Sequence, residues 1–256
     1  MKPNAQRRGA RIIGTFVDAL SWAETLERIS VWAARGESRY ICVSNVHSLV
    51  TARRDPALFL ALSDADMVTP DGMPLVWSLR RSGFSAQPRI YGPDLMWNYC
   101  ELAAREGHSV FLYGSTAQTL AKLRERLHSV FPEISISGSY APPFRTLDPE
   151  EDARVISAIN DSGARIVFVA LGCPKQELWM ASQRGRINAV MIGVGAAFDF
   201  YAGNVRQAPP ALQVIGMEWL FRLAMEPRRL WRRYLVTNAL YLLYLARGLG
   251  SDSGWR

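Results

Sequence analysis

The chain has 256 residues, which is enough for one large domain or for one domain with an appendage. Its hydrophobic fraction of 49% can fill a core, and its charged fraction of 21% is too low for a disordered chain. Three widely spaced cysteines without a CxxC pair argue against a disulfide framework or a zinc site and favour a reducing compartment. The N-terminal arginines are not followed by an apolar segment of signal-peptide type, so we expect no signal peptide.

The elements predicted from residue patterns alternate between strands and helices along most of the chain. Strands are predicted to end near Val68 and to lie at residues 11–17, 40–43, 110–113, 134–140, 166–171 and 189–194. Helices are predicted to begin at Pro56 and to lie at residues 22–34, 75–81, 93–106, 116–130, 149–160, 178–184, 211–225 and 227–247. This alternation predicts the α/β fold class, with a Rossmann-like, doubly wound and mostly parallel sheet.

The C-terminal part of the chain differs in pattern and charge. The alternation stops at Pro209-Pro210, which predicts a catalytic core at residues 1–208 and a helical appendage at residues 209–256. The chain's net charge of +7 is concentrated in this appendage. A basic appendage predicts an anionic partner, such as nucleic acid, acidic lipid or a phosphorylated substrate.

The helix predicted at residues 227–247 is amphipathic. Its pattern predicts a basic face formed by Arg228, Arg229, Arg232 and Arg233, and an opposite face formed by Leu230, Trp231 and Tyr234. Such a helix is typical of a membrane surface, although a helix packed on its own domain with solvated arginines is an alternative. The apolar run at residues 234–246 has 13 residues, fewer than the roughly 20 that span a bilayer.

A Pro-Asp-Gly turn follows the strand that ends near Val68. Pro70 cannot continue a strand ladder and Gly72 frees the backbone, so Asp71 is expected on a tight turn at the carboxyl end of the strand. Ligands bind at that edge of open α/β sheets. Asp71 can therefore act as a general base there, or it can simply cap the helix that begins near Met73.

Two further turns follow predicted strands and would lie at the same edge of a doubly wound sheet. The first contains Asn45, and His47 follows two residues later, either near the site or as a polar loop residue. The second places Gly172 at a strand end, with Lys175 and Gln176 at a helix start. Free N–H groups and a cation there can bind an anion such as a diphosphate, although an ordinary helix start with a surface lysine is the alternative.

Two other patterns are weaker. Residues 193–198 (GVGAAF) partly match a dinucleotide-binding fingerprint, but no strand with a ribose-binding acid follows them, so these glycines more simply allow close approach of a neighbour or a ligand. Asp199 beside them can hold a sugar hydroxyl or cap a turn. Asp64 and Asp66 match the DxD pattern of metal–diphosphate sites but precede their strand, so we predict no metal site, with a divalent cation at these two acids as the alternative.

Taken in order, these segments resemble the WecG/TagA/CpsF glycosyltransferases, glycosyltransferase family 26. The matching segments are SN at 44–45, ADMVTPDG at 65–72, RIYGPDL at 89–95, LGCPKQE at 171–177, GVGAAFDFYAG at 193–203, EWLFR at 218–222 and EPRRLWRRY at 226–234. They span nearly the whole chain. One position departs from the family pattern, because Val43 stands where the family often has threonine.

The resemblance implies an inverting, metal-independent glycosyltransferase of the GT-E fold that works without a cofactor. It implies a UDP-sugar donor carrying N-acetylmannosamine, its uronic acid or glucose, and an undecaprenyl-diphosphate-linked sugar acceptor in bacterial surface polysaccharide synthesis. It also implies an enzyme bound to the anionic inner face of the plasma membrane from the cytoplasm, with no nucleic-acid partner and a possible homo-oligomer.

The resemblance also implies roles for individual residues. Asp71 occupies the position of the catalytic base, Asn45, Arg89 and Gln176 match pocket residues, and Arg222, Arg229 and Arg232 match appendage arginines that face the donor diphosphate. We also expect Gly172, Lys175 and Asp199 to bind substrate. The alternatives to a glycosyltransferase are an NAD-dependent oxidoreductase that uses the glycine turns and a non-catalytic membrane adaptor.

Overall fold

The computed structural model describes residues 7–247, and of residues 210, 214 and 229 it describes the backbone alone. The strands in this part of the chain are β1 Gly9–Ile12, β2 Thr15–Asp18, β3 Arg39–Ser44, β4 Met67–Pro70, β5 Val110–Gly114, β6 Ile136–Tyr140, β7 Ile166–Ala170 and β8 Val190–Gly193. The helices are α1 Trp22–Ala34, α2 Val46–Ala52, α3 Pro56–Asp64, α4 Met73–Arg81, α5 Gly92–Glu106, α6 Ala117–Val130, α7 Pro149–Asp161, α8 Lys175–Gln183, α9 Ala197–Tyr201, α10 Pro210–Val214, α11 Glu218–Met225 and α12 Pro227–Ala246.

Six strands form one parallel sheet, in the order β4-β3-β8-β7-β5-β6, with helices flanking it. β7 and β8 consist almost entirely of buried apolar residues, as expected where a parallel sheet is covered on both faces. The strand order and the helical connections confirm the predicted α/β class with a Rossmann-like, doubly wound sheet.

The N-terminal segment differs from the prediction of one strand at residues 11–17. It forms an antiparallel hairpin of β1 and β2, in which Ile12 pairs with Thr15. The turn between them consists of Ile13 and Gly14, with φ angles of 43° and 95°. Two consecutive residues with positive φ make the tight turn that matches the twist of a hairpin, so the chain reverses there.

Several helices also differ from the predictions. The helix predicted at 211–225 is divided into α10 and α11, because Gly216 has φ 75°, a conformation that ends an α-helix. The short helices α2 and α9 were not predicted, since each directly follows a strand end and has little apolar periodicity of its own.

The chain divides into two compact units. Within the described residues, the first unit comprises residues 7–22, Val43–Tyr91 and residues 207–247, so its C-terminal helices belong with β4, α2 and α4. The second unit comprises Ala23–Cys42 and Gly92–Arg206 and contains β5 to β8.

Within the first unit, α12 is fixed to α4 by the buried Tyr241. Its hydroxyl lies 3.0 Å from Ser78 Oγ and 3.2 Å from the carbonyl oxygen of Pro74, to which it donates. Leu230 near the start of α12 is also buried. Tyr241 thus anchors α12 to α4, while the helix packs most extensively against α2.

The opposite face of α12 is exposed and carries both apolar and basic side chains. Trp231, Leu235 and Leu242 are exposed, and the Arg232 guanidinium carbon lies 5.5 Å from the centre of the Trp231 ring. The apolar face predicted for this helix is therefore wrong in detail. Leu230 is buried, whereas Trp231, which lies 100° further round the helix, is exposed. No helix within residues 7–247 is both long enough and apolar enough to cross a membrane.

Candidate active site

A cavity of about 400 Å³ lies in the first unit. Its walls come from the residues that follow β3 and β4, from the start of α4 and from α11 and α12. Its polar lining includes Asn45, Asp71 and Arg89, which contact one another, and its apolar lining includes Trp77 and Leu245. The cavity therefore offers both charged and apolar surface to one ligand.

Asn45 is held by the start of α2, where it is the N-cap. Its Oδ1 accepts hydrogen bonds from the backbone N–H groups of His47 and Ser48, at 3.0 and 3.3 Å. This cap fixes the side-chain amide so that Nδ2 points away from the helix and donates to Asp71 Oδ2 at 3.3 Å. The local sequence thus orients an N–H donor towards the carboxylate.

Asp71 directly follows β4, and its backbone N–H donates to the carbonyl oxygen of Ser44 at 2.8 Å. The N-cap of α4 is Gly72, which makes no side-chain capping bond. Asp71 is therefore not a helix cap, which was the alternative that the sequence left open. Its side chain is 17% exposed and lines the cavity.

Arg89 lies against Asp71 and shares its charge with a second acid. Its Nε donates to the Asp71 carbonyl oxygen, and its Nη2 lies 3.4 Å from Asp71 Oδ1 and 2.7 Å from Glu218 Oε2. The backbone N–H of Ile90 donates to the carbonyl oxygen of Pro70 at 3.0 Å, which places Arg89 at the end of β4. The guanidinium also lies over the Tyr91 ring, 4.1 Å from its centre.

Glu218 and Tyr91 were not identified as site residues from the sequence. Glu218 is 8% exposed, and its Oε1 accepts a hydrogen bond from the Tyr91 hydroxyl at 2.8 Å. The separations along the chain, 129 residues from Arg89 and 127 from Tyr91, hide these contacts from any local pattern. The one available signal was an acid at the start of the EWLFR segment.

The environment raises the pKa of Asp71 above its ordinary value. Burial is the largest cause, because it disfavours the charged form, and the charge of Glu218 adds to it. Arg89, the hydrogen bond from Asn45 and the charge of Arg222 act in the opposite direction. A carboxylate with a raised pKa accepts a proton more readily, so this group suits a general base.

His47 lines the same cavity and is half-buried. Burial and the nearby charge of Arg233 lower the pKa of this imidazole to about 4. Its Nδ1 lies 3.4 Å from Thr51 Oγ1. His47 is therefore neutral near pH 7 and can act as a hydrogen-bonding group but not as a cation.

The arginines predicted to bind substrate differ in position. Arg222 lines the cavity, together with Arg233, which the sequence analysis did not select. Arg232 is exposed and contacts Trp231. The side chain of Arg229 lies outside the described residues.

The remaining predicted site residues belong to the second unit. Gly172 has φ 76° after β7, and Lys175 begins α8 and lines a cavity of about 750 Å³ with Tyr113 and Trp179, whose rings stack with centres 4.1 Å apart. Asp199 Oδ1 accepts from Asn204 Nδ2 at 3.3 Å. Lys175 and the stacked rings thus offer a cation beside a flat aromatic surface.

Gln176 in this unit is 4% exposed. Its Nε2 donates to Glu177 Oε1 at 3.0 Å, while its Oε1 has no hydrogen-bond donor within the described residues. A Cβ on Gly193 would lie 3.0 Å from Nε2, so this glycine permits the close approach of the amide. Of the two explanations for the glycines at 193 and 195, packing against a neighbour is therefore observed at Gly193.

Residues 7–247 contain no group of three or more histidine, cysteine, aspartate or glutamate side chains placed to hold a metal ion. Asp64 is the exposed last residue of α3, and Asp66 directly precedes β4. Asp71 follows the same strand, so the DxD pair and the candidate base lie at opposite ends of β4.

Comparison with known families gives one finding. A sequence model of the glycosyl transferase WecG/TagA/CpsF family matches residues 10–252, which is nearly the whole chain. The match includes the segments around Asn45, Asp71 and Glu218 that build the cavity. The protein belongs to the WecG/TagA/CpsF family and is a glycosyltransferase of cell-surface polysaccharide synthesis.

Proposed function

We propose that the protein transfers a hexose, of the N-acetylmannosamine type or glucose, from a UDP-sugar to a sugar hydroxyl of an undecaprenyl-diphosphate-linked acceptor. Asp71 is the general base, and the anomeric configuration inverts. The observation that carries the proposal is the cavity lined by Asp71, whose pKa is raised, together with Arg89 and Arg222.

The proposed reaction is a single displacement. The acceptor oxygen forms a bond to the anomeric carbon, the bond from that carbon to the UDP oxygen breaks, and the acceptor proton passes to the Asp71 carboxylate. Attack on the face opposite the leaving group inverts the configuration. General-base catalysis of this kind contributes a factor of roughly 10²–10⁴ to the rate.

Each unit carries cationic groups of its own that fit an anionic ligand. Arg222 and Arg233 line the cavity of the first unit, and they can stabilise charge that develops on a leaving diphosphate without a metal ion. In the second unit, Gly172, Lys175, Gln176 and Asp199 are proposed to bind the donor, because a helix start with an adjacent lysine favours a diphosphate. Arg229 and Arg232 are proposed to contact anionic groups of the substrates.

The apolar wall of the cavity supports a lipid-linked acceptor. Met73, Pro74, Trp77, Leu242 and Leu245 line the same cavity as Asp71. An amphiphile with a diphosphate head and a polyprenyl tail fits a cavity that carries both charged and apolar surface. The exposed face of α12, with arginines and apolar side chains together, is proposed to hold the enzyme at the anionic inner leaflet.

A donor screen tests the proposal. Several UDP-sugars are incubated with a short-chain polyprenyl-diphosphate-sugar, and products are identified by mass and by the anomeric coupling in their NMR spectra. We expect one UDP-sugar to add a single hexosyl unit with inverted configuration, also when a chelator is present. Retention of configuration, or transfer only from a donor without UDP, would contradict the proposal.

A further inference from the structure

Arg89 is shared between two acids that come from distant parts of the chain. Its Nη2 is closer to Glu218, at 2.7 Å, than to Asp71, at 3.4 Å. Glu218 is also the acceptor of the Tyr91 hydroxyl, so both of its oxygens are occupied within this group. The Nη2 group that would otherwise neutralise the Asp71 carboxylate thus donates to Glu218, while Nε donates to the Asp71 carbonyl oxygen.

The start of α11 delivers Glu218 to this position. Gly216 precedes it in a turn with φ 75°, and a Cβ on Gly216 would lie 3.0 Å from Met73 Cβ and 3.4 Å from the Trp77 ring. The turn therefore packs directly on α4, the helix that follows Asp71. Contact between this turn and α4 helps to set how near the Glu218 carboxylate lies to Arg89.

We propose that Glu218 is a positioning residue for the base: it holds Arg89 away from a full ion pair with Asp71 and makes the strength of the base depend on the docking of α11. The proposal rests on the proposed function, in which Asp71 accepts the acceptor proton. It assigns to the C-terminal helices a role in tuning the chemistry as well as in binding substrate and membrane.

The electrostatics agree in sign with this role. Arg89 lowers the pKa of Asp71 and Glu218 raises it, and Asn45 and Arg222 also lower it. The hydroxyls of Tyr91 and Tyr234 also face Asp71, and its charge raises the pKa of both. Without the Glu218 charge, repulsion is lost and Arg89 can turn fully to Asp71. Both effects stabilise the ionised carboxylate, so the pKa of Asp71 falls and it becomes a weaker base.

The test is the pH profile of kcat/KM for the acceptor in wild type and in Glu218→Gln. We expect the acidic limb to move to lower pH by about one unit in the variant, and the plateau to fall by at least about three-fold. Glu150→Gln, which removes the same charge from an 89% exposed side chain in the second unit, is the matched control, and its limb is expected to stay in place.

Two further variants keep the proposal testable if Glu218→Gln does not fold. Gly216→Ala keeps the Glu218 charge but pushes the turn against Met73, and Tyr91→Phe removes one of the two donors that hold Glu218. Both are expected to move the acidic limb in the same direction, Tyr91→Phe by less. An acidic limb that stays in place or moves to higher pH in the folded variants would overturn the proposal.

The transfer activity of Asp71→Asn tests the proposed function independently of the role of Glu218. If that variant is inactive and the Glu218→Gln limb does not move, the role of Glu218 fails while the role of Asp71 stands. If Asp71→Asn transfers sugar at the wild-type rate, the proposed base is wrong and the role of Glu218 fails with it.

Discussion

At the scale of residues, the site contains a largely buried carboxylate, Asp71, whose ionised form costs free energy. Burial and Glu218 together outweigh Arg89, Asn45 and Arg222, so the pKa of Asp71 is raised. A carboxyl group whose pKa is higher in the folded state than in the unfolded state destabilises the folded protein at a pH above the unfolded pKa, because it is then costly to ionise in the fold. This cost disappears as the pH falls below the unfolded pKa. Function and stability therefore oppose each other at this position.

We accordingly expect Asp71→Asn to melt at a higher temperature than wild type at pH 7.5. The amide keeps the shape of the side chain and removes the buried charge, and each kcal/mol gained corresponds to roughly 2–4 °C for a chain of this size. The advantage should shrink when melting is measured at pH 4.5. A variant that melts lower than wild type at both values would show that the carboxylate stabilises the fold.

His47 makes the stability of the fold depend on pH in the opposite direction. Because its pKa is about 4 in the folded protein and near 6.5 when unfolded, the unfolded chain takes up the proton first as the pH falls. Wild type should lose on the order of 2–3 kcal/mol of stability between pH 7 and pH 4 from this group. In urea denaturation, His47→Gln should lose less over the same range, and an equal loss would contradict this assignment.

At the scale of elements, α12 presents two faces with different tasks. Leu230, Thr237 and Tyr241 are buried, whereas Leu235 and Leu242 on the other side are each 65% exposed. Arg228 and Arg232 lie on the exposed side at the start of the helix. An exposed apolar stripe that begins with arginines fits the boundary between lipid headgroups and acyl chains.

The double variant Trp231→Glu/Leu235→Glu should therefore lose binding to vesicles that contain anionic lipid, as measured by sedimentation. Transfer to a water-soluble, short-chain acceptor should persist, because neither residue lines the cavity that contains Asp71. Leu60→Glu is the matched control, since Leu60 on α3 is also exposed, at 57%, and lies outside the C-terminal helices. Equal sedimentation of the double variant and wild type would contradict a membrane role for this face.

Local patterns located the residues at the strand ends but not their distant partners. Asn45 and Asp71 could be placed because each directly follows a strand, and parallel strands bring such residues to one edge. The Glu218 contacts could not, since they depend on how α11 packs after a chain separation of 129 residues. The break at Gly216 was missed because a single glycine in an apolar run is compatible with a helix until its φ is known.

At the scale of the whole molecule, the C-terminal helices belong to the same compact unit as the candidate base. They supply a large part of the cavity wall, including Gly216, Glu218, Arg222, Arg233 and Tyr241. The core and appendage predicted at residues 1–208 and 209–256 remain a prediction. The site itself depends on residues from both.

A chain truncated after residue 208 should therefore lose transfer activity even with a water-soluble acceptor and without vesicles. A membrane anchor alone would leave that activity intact. Circular dichroism must show that the truncated chain keeps its helical content outside the missing segment. Substantial turnover by the folded, truncated chain would restrict the C-terminal helices to membrane attachment.

The most direct test of the account is single-turnover transfer by Asp71→Asn, with donor binding measured in parallel. Removal of a general base predicts a fall in the chemical rate by a factor of at least about 10², while the affinity for the UDP-sugar stays within a few-fold of wild type. A rate close to that of wild type would contradict the assignment of Asp71 as the base.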